Sequence, residues 1–273
     1  MSSKRIVIKL GTSTITAGSA KISYPGLIDL ARQVSVLRRM SHEVIIISSG
    51  AIAAGREILM QKELPRQIPA KQMLAAIGQS KLMGIYTQIF GMYDQIVGQV
   101  LLTKDDLLDR RRYLNARNTL NALLSYRVIP IINENDTVAT EEIRFGDNDN
   151  LSALVASVVR AQWLFLLTDV DALYTSNPRT DPNAKAIHVV EDISQLMVDT
   201  ATGSGPASGQ WGTGGMATKL QAASVACSSG CRVCVVSTDH LEHVRMILKG
   251  STSVGTTFFP SARTIAGRKK WIA

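Results

Sequence analysis

From Asn133 to Asn150 the chain reads Asn-Glu-Asn-Asp-Thr-Val-Ala-Thr-Glu-Glu-Ile-Arg-Phe-Gly-Asp-Asn-Asp-Asn, a density of acids and amides that folding alone does not require. Asn and Asp also cap helices and make turns, which is the plain alternative for any one of them. A second stretch, Gly212-Thr-Gly-Gly-Met-Ala-Thr-Lys219, is a glycine-rich loop opening a helix. Free backbone N–H groups, the positive end of the helix dipole and a lysine one turn in are what a phosphate needs. It is not a P-loop, because the Gly-Lys-Ser/Thr order is missing. Lys9 stands near the end of an apolar strand, where a buried ammonium requires an anion. Ser48-Ser49-Gly50 and Thr168-Asp169 likewise follow apolar runs. Five strand or helix ends thus carry groups compatible with a phosphorylated ligand.

The elements that deliver these groups are legible from their patterns. Arg5–Leu10, Val44–Ile47, Ile96–Leu102, Val128–Ile132, Trp163–Leu167 and Arg232–Ser237 read as buried strands. Pro25 with Leu27, Leu30, Ala31, Val34 and Leu37 predicts a helix ending near Ser41. Ala70–Tyr93, Tyr113–Tyr126, Leu151–Ala161, Met216–Ser229 and Leu241–Leu248 predict further helices, the first weakened by Gly78 and Gly84. Val189-Val190 reads as a short strand, Ala172–Pro182 as turns, and Thr202–Gly215 as a mobile loop. The alternation implies one α/β unit over residues 1–273, with a mostly parallel central sheet and ligands at the carboxyl ends of its strands.

Composition narrows the function classes. The 273 residues are 45% hydrophobic, enough for a core, and the formal charge of +8 favours anionic partners. Basic residues are scattered apart from Arg110–Arg112 and Arg268–Lys270, and aromatics are 5%, which argues against a nucleic-acid surface. No apolar run approaches the roughly 18 residues of a membrane span, and the amino terminus is no secretory signal, so a cytoplasmic location is expected. Cys227, Cys231 and Cys234, with His240 and His243 beyond, invite a zinc reading. Residues three apart on a strand face opposite ways, so buried thiols are the expectation and no metal ligands are assigned.

Ile8–Ser13, Ser48–Arg56, Ile132–Asp136, Gly146–Ala153, Leu167–Asp169 and Gly212–Lys219 together resemble the amino acid kinase superfamily, and within it the glutamate 5-kinase family. The resemblance implies a three-layer sandwich and ATP-dependent phosphorylation of the γ-carboxylate of L-glutamate, the first step of proline biosynthesis, with Mg²⁺ carried on the ATP phosphates. It places Lys9, Thr168, Asp169, Thr213, Gly214, Gly215, Met216, Ala217, Thr218 and Lys219 on nucleotide-binding positions, and Ser49, Asp136 and Asn148 on glutamate-binding positions. Lys9 and Lys219 would be catalytic, with Asp149 orienting both. It further implies proline as feedback inhibitor, with Asn135 to Arg144 as the candidate sensor, handover of product to glutamyl phosphate reductase, and a homo-oligomer. Many members continue into a PUA domain after an Arg-Lys-Trp-Ile-like segment, whereas this sequence ends at Ala273. Two other readings stay open at this point: a sibling kinase acting on another carboxylate or a nucleoside monophosphate, and a basic RNA-binding protein on a kinase-like scaffold.

Overall fold

The structure is a computed structural model. It describes residues 2–61, 63, 65, 67–139, 148–176, 178, 181–201 and 215–260, with side chains omitted for 198–201. Among them the chain forms, in order, β1 (Arg5–Leu10), α1 (Thr12–Thr16), α2 (Tyr24–Arg39), β2 (Glu43–Ser48), α3 (Ala51–Ile58), α4 (Ile68–Gly91), β3 (Val97–Leu102), α5 (Lys104–Leu108), α6 (Arg110–Ser125) and β4 (Ile129–Glu134). There follow α7 (Asn148–Val158), β5 (Trp163–Thr168), β6 (Leu173–Tyr174), β7 (Ala186–Ile187), β8 (Val189–Val190), α8 (Ile193–Ala201), α9 (Gly215–Ser228), β9 (Arg232–Ser237), α10 (His243–Leu248) and β10 (Thr256–Phe258).

Eight strands form one sheet in the order β3-β4-β2-β1-β5-β9-β10-β8. Its pairs are parallel except β9 with β10. The chain starts at β1, builds outward through β2 to β3 and β4 on one side, and later adds β5 and β9 on the other. Strand order therefore reverses at β1, and a crevice at the carboxyl ends is expected there. Register brings those ends level, with Leu10 beside Ser48 and Leu167, and Thr168 beside Ser237.

Two cores sandwich the sheet. One holds Val7, Ile45, Ile47, Leu164 and Leu166 against α6, α7 and α9. The other holds Ile6, Ile8, Val44, Ile46 and Phe165 against α2, α4 and α10. Because side chains alternate along a strand, Lys9 shares the face of Val7 and meets α7 and α9, while Ser48 and Asn133 share the face of Ile46 and Ile131 and meet α4.

Patterning finds β8 and α10 but misses other short elements. The antiparallel strand β10 departs from the strict βαβ alternation, and β6 pairs with β7 in a two-stranded hairpin whose first strand lies in the stretch read as turns. The helices α1, α5 and α8 also carry no periodic signal of their own, at five to nine residues each. Gly78 has a definite role: a Cβ there would stand 1.8 Å from the Ala51 carbonyl oxygen, so α3 and α4 cross in backbone contact. Gly84 has open space around it.

Candidate active site

Lys9 leaves the end of β1 almost wholly buried, and its Nζ lies 2.6 Å from Asp149 Oδ1. Asp149 is in the first turn of α7 and has no exposed surface. Its other oxygen, Oδ2, lies 3.3 Å from Lys219 Nζ, which extends from the first turns of α9. Lys219 also donates to the Gly215 carbonyl at 3.1 Å, and the Thr218 hydroxyl lies 3.1 Å from both Asp149 Oδ2 and the Gly215 carbonyl. One carboxylate thus holds two ammonium groups from opposite sides. Counting these three groups, the cluster carries one net positive charge in a setting that water reaches poorly, where electrostatic interactions are strong.

The residue before Asp149 faces a different set of partners. Asn148 Nδ2 lies 2.7 Å from Ser49 Oγ, 3.2 Å from the Ser48 carbonyl and 3.0 Å from Asn133 Oδ1. Asn133 in turn accepts from the Glu134 backbone N–H at 2.9 Å and donates to Gln79 Oε1 at 3.0 Å. Ser48 Oγ pairs with the buried Tyr86 hydroxyl at 2.8 Å, and burial raises the Tyr86 pKa well above the usual phenol value. An amide and hydroxyl cluster therefore adjoins the lysine pair, joined to it through two consecutive residues of α7.

Asp136 lies beyond the end of β4, half-buried in a turn in which Val138 and Ala139 donate to the Asn135 carbonyl. Thr168, at the tip of β5, is buried and donates to Asp169 at 3.0 Å. Asp169 faces a cavity of about 390 Å³ that it shares with Ser13, Thr14, Thr238 and Asp239. Met216 is packed into the core and Ala217 is exposed, so Met216 offers a loop ligand its backbone alone. Thr213 and Gly214 lie outside the described residues, as do residues 140–147 of the proposed sensor loop and the acidic run. Gln79 and Tyr86 are the partners that sequence reading missed. Both lie on one face of α4, seven positions apart, but that helix also carries Lys71, Gln72, Ser80, Lys81, Thr87 and Gln88, so its sequence does not single them out.

The cysteines do not converge on a metal. Cys227 and Cys231 belong to one core and Cys234 to the other, and burial pushes the Cys227 and Cys234 thiols up to about 12. Among the described residues, His240, Glu242 and His243 form the one group of potential ligands whose atoms lie within 4.8 Å of one another. No described helix is long and apolar enough to cross a membrane.

The sequence profile of the Amino acid kinase family matches residues 4–237, and the chain belongs to that family. It is 48% identical over 271 residues to the Glutamate 5-kinase of Geobacter sp. (strain M21), covering 99% of this chain and 71% of the relative. It is 49% identical over 267 residues to the Glutamate 5-kinase of Photobacterium profundum, covering 98% of this chain and 70% of the relative. Among solved structures, carbamate kinase from Giardia lamblia bound to AMP-PNP superposes with a TM-score of 0.70 at 15% identity, covering 95% of this chain and 99% of that one. That likeness is one of fold.

Proposed function

We infer that this protein transfers the γ-phosphoryl group of ATP to the γ-carboxylate of L-glutamate, giving L-glutamyl 5-phosphate and ADP, the step that commits glutamate to proline. The observation that carries the reading is the Lys9–Asp149–Lys219 cluster beside the Ser49–Asn148 pair. A γ-carboxylate with a pKa near 4.3 is already ionised at neutral pH and attacks phosphorus without a general base. The obstacle is repulsion between that anion and the triphosphate. Lys9 and Lys219 offset it, and Asp149 keeps both ammonium groups aimed at one point. Asp136 suits the α-ammonium of glutamate, with Ser49 and Asn148 beside it at the amino acid end. The nucleotide would lie against Thr168, Asp169 and residues 213–219.

Mg²⁺ accompanies ATP in this chemistry. Both oxygens of Asp149 face ammonium groups, a donor set suited to an ion borne by the phosphate oxygens, where it supplies charge neutralisation on the transferring group. The residues do the positioning.

We further propose that residues 1–273 act as one kinase domain in the cytoplasm and that the protein is a homo-oligomer. Exposed Met73 and Met92 on and after α4, and Ile96 before the edge strand β3, support the last point. Proline shares the α-carboxylate and nitrogen cation of glutamate and lacks the γ-carboxylate, so competition for the amino acid end of the site is the form of feedback proposed. Handover of the labile acyl phosphate to a reductase follows from the product's chemistry.

The test is hydroxamate formation. Purified protein with ATP, Mg²⁺, hydroxylamine and glutamate should give γ-glutamyl hydroxamate and stoichiometric ADP. Turnover of another carboxylate or of a nucleoside monophosphate, with none on glutamate, would overturn the reading.

A further inference from the structure

We propose that Gln79, a buried residue of α4 remote in sequence from every assigned ligand, is the positioning residue that holds the Asn133–Asn148 amide pair in the polarity its backbone partners set, and thereby keeps the Asn148 carbonyl available to the substrate's α-ammonium group beside Asp136. The inference rests on the glutamate reading above. Its basis is a hydrogen-bond chain whose direction is fixed by backbone groups, which have only one polarity. The Glu134 backbone N–H donates to the Asn133 side chain at 2.9 Å, so the atom it meets is Oδ1. The Asn133 amide nitrogen then faces α4, where Gln79 Oε1 accepts it at 3.0 Å. At the other end the Ser48 carbonyl, an obligate acceptor, faces Asn148 at 3.2 Å, so the atom it meets is Nδ2. That nitrogen also lies 3.0 Å from Asn133 Oδ1 and 2.7 Å from Ser49 Oγ. Three acceptors surround two N–H bonds, and the carbonyl end of the Asn148 amide is turned away from all three. An amide carbonyl is an acceptor without charge, suited to an ammonium ion and indifferent to a carboxylate.

Gln79 completes this chain because Asn133 is only 3% exposed and its NH₂ takes its acceptor from α4. Without an acceptor on α4 that donor is stranded, and a stranded buried donor costs enough to turn or loosen the amide. The close crossing of α3 and α4 at Gly78 holds Gln79 at this position. Tyr86, one heptad further on the same helix, anchors Ser48 and so the other end of the chain.

Two isosteric variants separate the proposal from general packing. Gln79→Met keeps the volume and removes the acceptor, whereas Gln79→Glu keeps an acceptor oxygen in place. Gln79→Met should raise KM for glutamate by about tenfold, with KM for ATP and kcat within about threefold of wild type, the pattern of lost ground-state binding. Gln79→Glu should stay within about threefold for all three. Discrimination of glutamate over glutarate, which lacks the ammonium group, should fall in Gln79→Met by a similar factor, a readout that loosened packing alone would not move. Folded Gln79→Met with wild-type KM for glutamate, or unchanged discrimination against glutarate, would overturn the proposal. Should Gln79→Met not fold, Gln79→Glu decides: a large rise in its glutamate KM alone counts against the acceptor role, and wild-type constants support it. If wild type itself makes no hydroxamate from glutamate, the functional reading has failed. If it does and the Gln79 pattern is absent, only this inference has.

Discussion

At the scale of single residues the site is organised by one buried carboxylate. Asp149 meets Lys9 at 2.6 Å and Lys219 at 3.3 Å with no exposure of its own. Removing one partner from a buried ion cluster leaves uncompensated charge behind, which typically costs about 3–5 kcal/mol. Asp149→Asn keeps the shape and removes the charge, leaving two ammonium groups facing a neutral amide. It should lower the urea midpoint by an amount equivalent to that cost and reduce kcat/KM by at least about 10²-fold. Equilibrium unfolding alongside hydroxamate kinetics checks both halves, and wild-type stability would show that the cluster is not held by this charge. Sequence made Lys9's need for an anion legible, because a lysine inside an apolar strand has few other solutions. It could not name Gln79, since α4 also carries Gln72 and Gln88, and which glutamine is buried is not decided until the strand opposite the helix is known.

At the scale of elements, what matters is which helix touches which strand tip. Gly78 and Gly84 look alike in the sequence, both as weak points in one helix. The structure separates them: alanine at 78 would place a Cβ 1.8 Å from the Ala51 carbonyl oxygen and 2.4 Å from the Gly55 nitrogen, whereas nothing lies within 4 Å at 84. Gly78→Ala should therefore destabilise the protein by about 1–3 kcal/mol or more, as overpacking does, and weaken glutamate binding by moving Gln79. Gly84→Ala should stabilise by about 0.5–1 kcal/mol, by the helix preference of alanine over glycine. Paired thermal melts decide the matter, and equal shifts in the two variants would mean that α3 and α4 do not cross as described. No periodicity analysis could have ranked these glycines, because the difference lies in a contact with another helix.

At the scale of the whole molecule, β1, β2, β3, β4, β5 and β9 were legible as strands, and the helices between them as periodic runs. The sites at their tips follow from topology, since the sheet order turns at β1. Of the two- and three-residue strands, β8 was legible as Val189-Val190, whereas β6, β7 and β10 were not, and β10's antiparallel direction is a tertiary choice. What the assembled molecule is claimed to do is bring two cations from distant parts of the chain, residues 9 and 219, to the point where the phosphoryl group passes from ATP to a carboxylate and ADP leaves. The most direct test is steady-state kinetics of Lys219→Ala with glutamate and ATP varied independently. If Lys219 acts on charge that develops during transfer, kcat falls by about 10²–10³-fold while KM for glutamate changes by less than about threefold. Undiminished kcat with a raised KM for ATP alone would place Lys219 in nucleotide binding only and contradict the account.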